Sequence, residues 1–392
     1  MIKRPLWNAR IRESWKKAPI VWLCGVRRSG KTTLTRDLPA ESVHYVNCDL
    51  PASVRMLRDP ELFYRECRRE IVVFDEIHQL EDPSRVLKIG ADAFPGLKIL
   101  ATGSSTLAAT RKFRDTLTGR KRTVHLTPVA FDEFGDFGAA TLKKRLLHGG
   151  LPQPLLAETP DPGFYREWLD SFFSRDIQGL FAFHAPEKFN ALFEYLLRQS
   201  GGLFETAKAA SGLGISRPTI VAHLRALEIT QGVTILRPFF GGGQKELTKM
   251  PKIYAFDTGF VCFTKGWDTL RPEDCGILWE HLVLEFLQAR RPDEDIRYWR
   301  DKAGRELDFV LPHGRDRVDV LECKWNSEDF DPAALKAFRA LHPGGSNYVI
   351  SPVAGDGYVR RAAGLEFTVC DPTAWAARAR IPRQGARRHP VN

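Results

Sequence analysis

Short, unbroken apolar runs mark the first third of the chain. Pro19-Ile20-Val21-Trp22-Leu23, Ile71-Val72-Val73-Phe74 and Leu97-Lys98-Ile99-Leu100-Ala101-Thr102 each end against turn-forming or charged residues. Runs of this length without alternation predict strands buried on both faces, and hence a parallel sheet covered by helices. Asp82-Pro83-Ser84-Arg85-Val86-Leu87-Lys88, between two of them, predicts a loop entering a helix. The period then lengthens. Phe164, Tyr165, Trp168, Phe172, Phe173, Phe181 and Phe183 recur at spacings near three and four. They predict helices over 162–183 that pack as a lid on the first domain. Phe189, Leu192, Phe193, Leu196 and Leu197 predict an amphipathic helix over 187–199, stopped by Gly201-Gly202.

The next stretch has the spacing of a helix–turn–helix. Phe204 to Ala210 reads as a short helix and Ser211-Gly212-Leu213-Gly214-Ile215 as a turn. Ser216 is placed to cap a second helix, with Pro218 in its first turn. Ile220, Val221, Leu224 and Leu227 predict its buried stripe, leaving Arg217, Thr219, His223 and Arg225 on other faces. Arg217 to His223 would be the recognition segment. Strands over 233–236 and 252–256 would flank Gly241-Gly242-Gly243 as a wing carrying Lys245 and Lys249. Winged helices also dock proteins, so the spacing alone does not choose a partner.

Toward the C-terminus a helix is predicted from Gly276-Ile277-Leu278-Trp279-Glu280 through Leu287, then a strand over 296–300. Glu306 to Leu311 and Val318 to Lys324 predict two more strands joined by a polar turn. Glu322 and Lys324 are two apart and leave one face of a strand, and Asp308 on its neighbour can converge on them. Trp299 and Trp325 are candidates for stacking on bases, or for the core.

Chemistry enters with Gly25-Val26-Arg27-Arg28-Ser29-Gly30-Lys31-Thr32, a full G-x-x-x-x-G-K-[ST] set between a predicted strand and a predicted helix. The expected nucleotide-binding set is Gly25, Arg28, Ser29, Gly30, Lys31, Thr32 and Thr33. Glycines let backbone N–H groups turn toward phosphate oxygens. Lys31 would reach the β- and γ-phosphates of ATP and the Thr32 hydroxyl would ligate Mg²⁺. About forty residues on, Asp75 and Glu76 end a predicted strand. Asp75 would hold Mg²⁺ and Glu76 would polarise the attacking water as general base. Ser104, after the third strand, would sense the γ-phosphate. Arg120 would reach a neighbouring subunit's nucleotide or form a solvated basic turn, and Arg175 is a second candidate arginine.

The chain has 392 residues, seven scattered cysteines and a net charge of +10. The length predicts two to four domains. No C-x-x-C pair occurs, so the thiols are expected to be reduced and mostly buried. The positive charge favours an anionic partner, nucleic acid first. Part of it lies in Arg378, Arg380, Arg383, Arg387 and Arg388, a tail without acids. No apolar run reaches the ~20 residues a membrane span needs, and the N-terminus lacks a signal peptide's apolar region. A cytoplasmic protein with no membrane partner is expected.

Gly25 to Thr32, Asp75-Glu76-Ile77-His78, Thr102-Gly103-Ser104-Ser105, Leu117-Thr118-Gly119-Arg120, Gly149-Gly150-Leu151-Pro152, Pro251-Lys252-Ile253-Tyr254 and Asp257-Thr258-Gly259 follow in that order. Together they resemble the prokaryotic AAA-type ATPases with a DUF4143 C-terminal region, over nearly all the chain to about residue 370. Glu280, Asp308, Glu322 and Lys324 resemble the PD-(D/E)XK nuclease pattern. There Asp308 and Glu322 would be metal ligands, Lys324 would act on the attacking water or the phosphate, and Glu280 would complete the site. Asp…Glu-x-Lys is also what a charged edge strand carries.

The expected fold is an α/β multidomain chain. A P-loop AAA-type parallel sheet domain covers 1–140, a helical lid or linker 141–185 and a winged helix 186–260. A PD-(D/E)XK nuclease-like α/β domain covers 272–370 and a basic tail 371–392. The expected function is a Mg²⁺-dependent ATPase that binds and processes DNA, branched or single-stranded, with Mg²⁺ or Mn²⁺ at the second site. The resemblance implies a homo-oligomer, such as a ring. The alternatives are an ATP-gated switch docking a protein partner, or a DNA-binding ATPase without nuclease activity.

Overall fold

Strand β1 (Ile20–Cys24) is apolar at five successive positions, and all five are buried. In the computed structural model, which describes residues 2–103, 117–138, 141–178, 181, 185–240, 250–314 and 316–379, β1 lies inside a five-stranded sheet. The others are β2 (Val43–Asn47), β3 (Ile71–Asp75), β4 (Lys98–Thr102) and β5 (Lys121–His125), in the order β2-β3-β4-β1-β5. Every pairing is parallel. The carboxyl ends of β1 and β3 therefore point the same way, and the phosphate loop and the Asp75-Glu76 pair leave the sheet on one side. Helix Pro83–Ala93 begins where the Asp82 side chain accepts the Arg85 N–H at 3.0 Å, as its sequence predicts.

The chain divides into two compact units, Met1–Ile235 with Ile253–Leu270, and Leu236–Lys252 with Arg271–Asn392. In the first, helix Pro162–Phe172 buries Phe164, Tyr165, Trp168 and Phe172 at the predicted spacing. It runs on into a π-helical turn, Phe173–Ile177, whose Arg175 and Asp176 line the cavity described below. Trp168 stacks on Phe256 at 4.6 Å between ring centroids.

Two of the glycine-bearing motifs form one buried polar joint in this unit. Asp257 Oδ2 accepts the Gly150 N–H at 2.6 Å and Oδ1 accepts the Gly259 N–H at 2.8 Å. Arg145 donates to Val129 O at 2.7 Å and to Thr258 Oγ1 at 3.1 Å. Gly149 has φ +77°, and a Cβ there would lie 1.9 Å from Asp257 Oδ1. The joint accounts for both motifs as architecture.

Helices Thr206–Leu213 and Arg217–Ile229 follow one another across a short turn, and Ser216 caps the second by accepting the Thr219 N–H at 3.3 Å. Strands β6 (Gly202–Leu203), β7 (Val233–Leu236) and β8 (Lys252–Ala255) form a three-stranded sheet in the order β6-β8-β7. One expectation fails here. His223 is buried, 5.3 Å edge-on from Phe189, while Val221 is 57% exposed. The core side of the helix thus runs through Ile220, His223, Leu224 and Leu227, one position away from the predicted stripe. Gly241 to Lys249, including Lys245, lies outside the described residues.

The second unit holds a six-stranded mixed sheet of β9 (Arg297–Arg300), β10 (Glu306–His313), β11 (Arg317–Cys323), β12 (Asn347–Ile350), β13 (Tyr358–Ala362) and β14 (Leu365–Cys370). Its order is β13-β14-β12-β11-β10-β9, with β10 and β11 antiparallel and β11 and β12 parallel. Helix Pro272–Arg290 precedes the sheet and buries Trp279, whose Nε1 donates to Ile350 O at 2.9 Å. Trp299 is core, packed on Phe338 at 5.4 Å, so it presents no face to a base. The cysteines are free thiols, six of them buried. Among the described residues no helix is long and apolar enough to cross a membrane.

Candidate functional site

A cavity of about 1110 Å³ opens at the carboxyl end of β1. Arg28, Ser29, Gly30, Lys31, Thr32 and Thr33 line one side, and Glu76, His78, Arg175 and Asp176 are on its wall. Gly25 is the hinge of the loop. At φ +155° it passes Leu126 so closely that a Cβ would meet the Leu126 carbonyl oxygen at 2.4 Å. Gly30, at φ +98°, is the left-handed residue from which helix Lys31–Arg36 starts. Arg28 also has positive φ, 61°, and its guanidinium donates to Glu167 Oε1 at 2.7 Å.

Lys31 bends back over the loop and donates to Gly25 O at 3.0 Å and Val26 O at 3.1 Å. Burial lowers its pKa, against the raising influence of Glu76 and Asp176. The Ser29 hydroxyl is buried and has no hydrogen-bond partner. An unsatisfied donor in a loop of inward N–H groups fits an anionic oxygen.

Asp75 and Glu76 part company at the end of β3. Asp75 is buried and takes both of its bonds from the protein: Thr102 Oγ1 donates to Oδ1 at 2.5 Å and Tyr45 Oη to Oδ2 at 2.5 Å. Glu76 turns the other way, into the cavity, at the left-handed φ of 55°. Its own N–H is held by Thr102 Oγ1 at 3.0 Å, and its Oε2 is 3.1 Å from His78 Nδ1. Burial works to raise the Glu76 pKa. The His78 hydrogen bond and the charges of Lys31 and Arg27 outweigh it, leaving the carboxyl below its ordinary value.

Asp176, also lining the cavity, is buried and lies 3.4 Å from Arg27 Nη1. Burial raises its pKa, while Arg27 and Lys31 oppose the shift. Trp168 Nε1 also donates to Arg27 O at 3.1 Å, so the non-motif residues of the loop are tied to the segment that carries Asp176. Arg120 is elsewhere. It forms a two-pronged pair with Asp92, at 2.5 and 3.1 Å, and is not among the residues lining the cavity. Ser104 lies outside the described residues.

The second unit gathers the other predicted set. Asp308 Oδ2 accepts the Cys323 N–H at 2.8 Å, and Glu322 Oε2 accepts the Asp308 N–H at 3.3 Å. Lys324 Nζ donates to Glu322 Oε1 at 2.9 Å. Desolvation pushes both carboxyls up, Glu322 to about 8, and each adds to or receives further repulsion from a neighbouring carboxylate. Glu280 is also here, but its Oε1 accepts from Lys252 Nζ at 3.1 Å. Lys252 is paired with Glu306 as well, and Arg300 holds the other Glu306 oxygen at 2.8 Å. Among the described residues no three His, Cys, Asp or Glu side chains are grouped so as to hold a metal ion. The arrangement is two carboxylates with one lysine, beside a second lysine with two carboxylates.

Tyr45, His78, Arg27, Asp176 and Lys252 had no predicted role at these sites. Arg27, His78 and Lys252 carry a local signal, since all three sit inside motifs quoted above.

Residues 17–135 match the family model of an AAA domain, residues 139–271 that of a domain of unknown function, DUF8612, and residues 275–361 that of another, DUF4143. The uncharacterized proteins Mb2031c of Mycobacterium bovis and Rv2008c of Mycobacterium tuberculosis are each 30% identical over 321 residues, 79% of this chain and 71% of the relative. The chain belongs to the AAA-type ATPases with a C-terminal DUF4143 region. Among solved structures, this ATPase is similar to the Walker-type ATPase paby2304 of Pyrococcus abyssi, at 16% identity and TM-score 0.45, covering 68% of this chain and 96% of that one. It is also similar to the RuvB Holliday junction branch migration motor of Thermotoga maritima, at 15% identity and TM-score 0.32, covering 65% and 92%.

Proposed function

We propose that this ATPase uses Mg²⁺-dependent ATP hydrolysis to act on DNA. The observation that carries the nucleotide half is the phosphate loop itself: an unpartnered Ser29 hydroxyl, the Lys31 ammonium and the Thr32 hydroxyl on one cavity wall, facing Glu76. Lys31 binds the β- and γ-phosphates of ATP. Thr32, with Asp75 directly or through water, would supply the hard oxygens that Mg²⁺ requires. An Mg²⁺ ion bound there would neutralise phosphate charge. Glu76 takes the proton of the attacking water, and His78 orients it. Arg175 lines the cavity from within the chain, whereas Arg120 would act only in a neighbouring subunit of a homo-oligomer.

The DNA half rests on helix Arg217–Ile229, which leaves Arg217, Val221 and Arg225 exposed after a short turn, in a chain of net charge +10. We read the two helices with β6, β7 and β8 as a winged helix, and the second unit as a PD-(D/E)XK nuclease-like domain. In it Asp308 and Glu322 would hold Mg²⁺ or Mn²⁺ and Lys324 would act on the scissile phosphate. A DNA-binding ATPase without cleavage is the second reading, favoured by the engagement of Glu280 with Lys252.

ATP turnover with and without a panel of branched and single-stranded DNAs, scored for cleavage in the same tubes, tests all of this. DNA stimulation is expected. If turnover is unchanged and no DNA binds at low salt, the DNA reading fails. If Lys324→Ala and wild type cleave equally, the nuclease site is wrong.

A further inference from the structure

Lys252 Nζ lies 3.1 Å from Glu280 Oε1 and is also paired with Glu306 Oε1, with its side chain only 5% exposed. We infer that Lys252 is a positioning residue that withdraws Glu280 from the cation site, leaving a divalent ion to be held by Asp308 and Glu322 alone. This rests on the reading of those two carboxylates as cation ligands.

The geometry works through charge and lone pairs. A divalent ion bound to Glu280 would share that carboxylate with a buried ammonium. At such separations, away from bulk water, like charges repel strongly. The ammonium is itself fixed from two sides. Glu306 is in turn oriented by Arg300, which donates to its second oxygen at 2.8 Å. Asp308 and Glu322 are held differently. Asp308 is oriented by a backbone N–H at Cys323, and Glu322 by the Asp308 N–H and by Lys324. Asp308 faces a backbone donor, and Glu322 also faces the Lys324 ammonium, but Lys324 is 28% exposed and bonded to one carboxylate, so unlike the buried, doubly paired Lys252 it can turn toward solvent when an ion binds. Two carboxylates suffice for an ion that keeps several of its waters, as Mg²⁺ does.

Lys252 therefore also limits affinity. With the ammonium gone, Glu280 is released as a third ligand. Glu280→Gln keeps the amide oxygen as an acceptor for Lys252, which retains Glu306 as its counter-ion, so this variant is compatible with the fold.

The test is Mn²⁺ binding to the full chain without nucleotide, read as loss of the free-ion signal in electron paramagnetic resonance. Asp308→Asn and Glu322→Gln should each weaken binding by about tenfold or more, while Glu280→Gln stays within about threefold of wild type. Lys252→Met should tighten binding by about tenfold, and the Lys252→Met/Glu280→Gln double variant should return toward wild type. If Glu280→Gln weakens binding as much as Asp308→Asn, Glu280 is a ligand and the inference is wrong while the cation site stands. If Asp308→Asn and Glu322→Gln leave binding unchanged, the cation site itself falls, and the inference with it. Should Lys252→Met fail to fold, the contrast between Glu280→Gln and Asp308→Asn decides alone.

Discussion

Asp257 Oδ2 accepts the backbone N–H of Gly150 at 2.6 Å, across 107 residues of chain. The same carboxylate holds Gly259, and the Arg145 guanidinium is the leading influence that offsets its burial. Asp257→Ala removes the acceptor for two buried N–H groups and a counter-charge for Arg145. The expected loss is about 3 kcal/mol or more in chemical denaturation, with less for Asp257→Asn, which keeps one acceptor. A variant as stable as wild type would show that the joint is not a structural tie.

At the nucleotide site, Lys31→Ala should abolish ATP hydrolysis. Glu76→Gln should retain nucleotide binding but lose about 10²–10⁴ in turnover. A Glu76→Gln variant with normal turnover would remove the assigned base.

His78 supplies the pH test. Its hydrogen bond helps hold Glu76 below the ordinary carboxylate range. A base works when deprotonated, so the acid limb of kcat follows the Glu76 pKa. His78→Ala removes a lowering influence, and the limb should move to higher pH. His78→Gln, which can still donate, should move it less. A limb at the same pH in all three proteins would show that His78 does not act on Glu76.

Glu322 predicts a pH dependence of stability. Its pKa in the folded chain, about 8, lies above the ordinary Glu value, so the native state holds the proton more tightly than the unfolded chain does. Wild-type stability should therefore fall as pH rises from about 4.3 through that folded-state value. In EDTA at alkaline pH, Glu322→Gln should be the more stable protein by on the order of 1–3 kcal/mol, with the gap closing in acid. Thermal unfolding at several pH values measures it. A gap that widens in acid has the wrong sign and would sink the assignment.

On helix Arg217–Ile229, exposure separates two kinds of residue. Arg217→Ala and Arg225→Ala should weaken DNA binding and each lower the salt slope by roughly 1. His223→Ala should leave the slope alone and lower the melting temperature, because His223 is packed on Phe189. Fluorescence anisotropy across a salt series distinguishes them.

The parts legible in the sequence are those whose cause is local. The apolar runs of β1 and β3 are buried throughout, a helix starts at Pro83 where a loop was expected to enter one, and Ser216 caps its helix by accepting the Thr219 N–H. Lys31 and Glu76 face one cavity because two parallel strands end on the same side. What was not legible depends on the packing of distant segments. Val221 and His223 are both compatible with a helix side, and packing against distant residues such as Phe189 chooses between them. The bonds of Asp75 to Tyr45 and of Asp176 to Arg27 join residues 30 and 149 positions apart. Glu280 fits a ligand pattern by its place in the motif, and the lysine that engages it comes from another element.

Gly25 sits against the Leu126 carbonyl with no room for a single methyl group, and Leu126 N–H returns a 2.7 Å bond to Cys24 O. Leu126 follows β5, one of the two edge strands of the sheet. The entrance to the phosphate loop is therefore gauged against the sheet's rim. A substitution that slips or frays β5 would misalign the loop while leaving every residue of the loop as it was, and inactive variants of this ATPase will map to 121–126 as well as to 25–32.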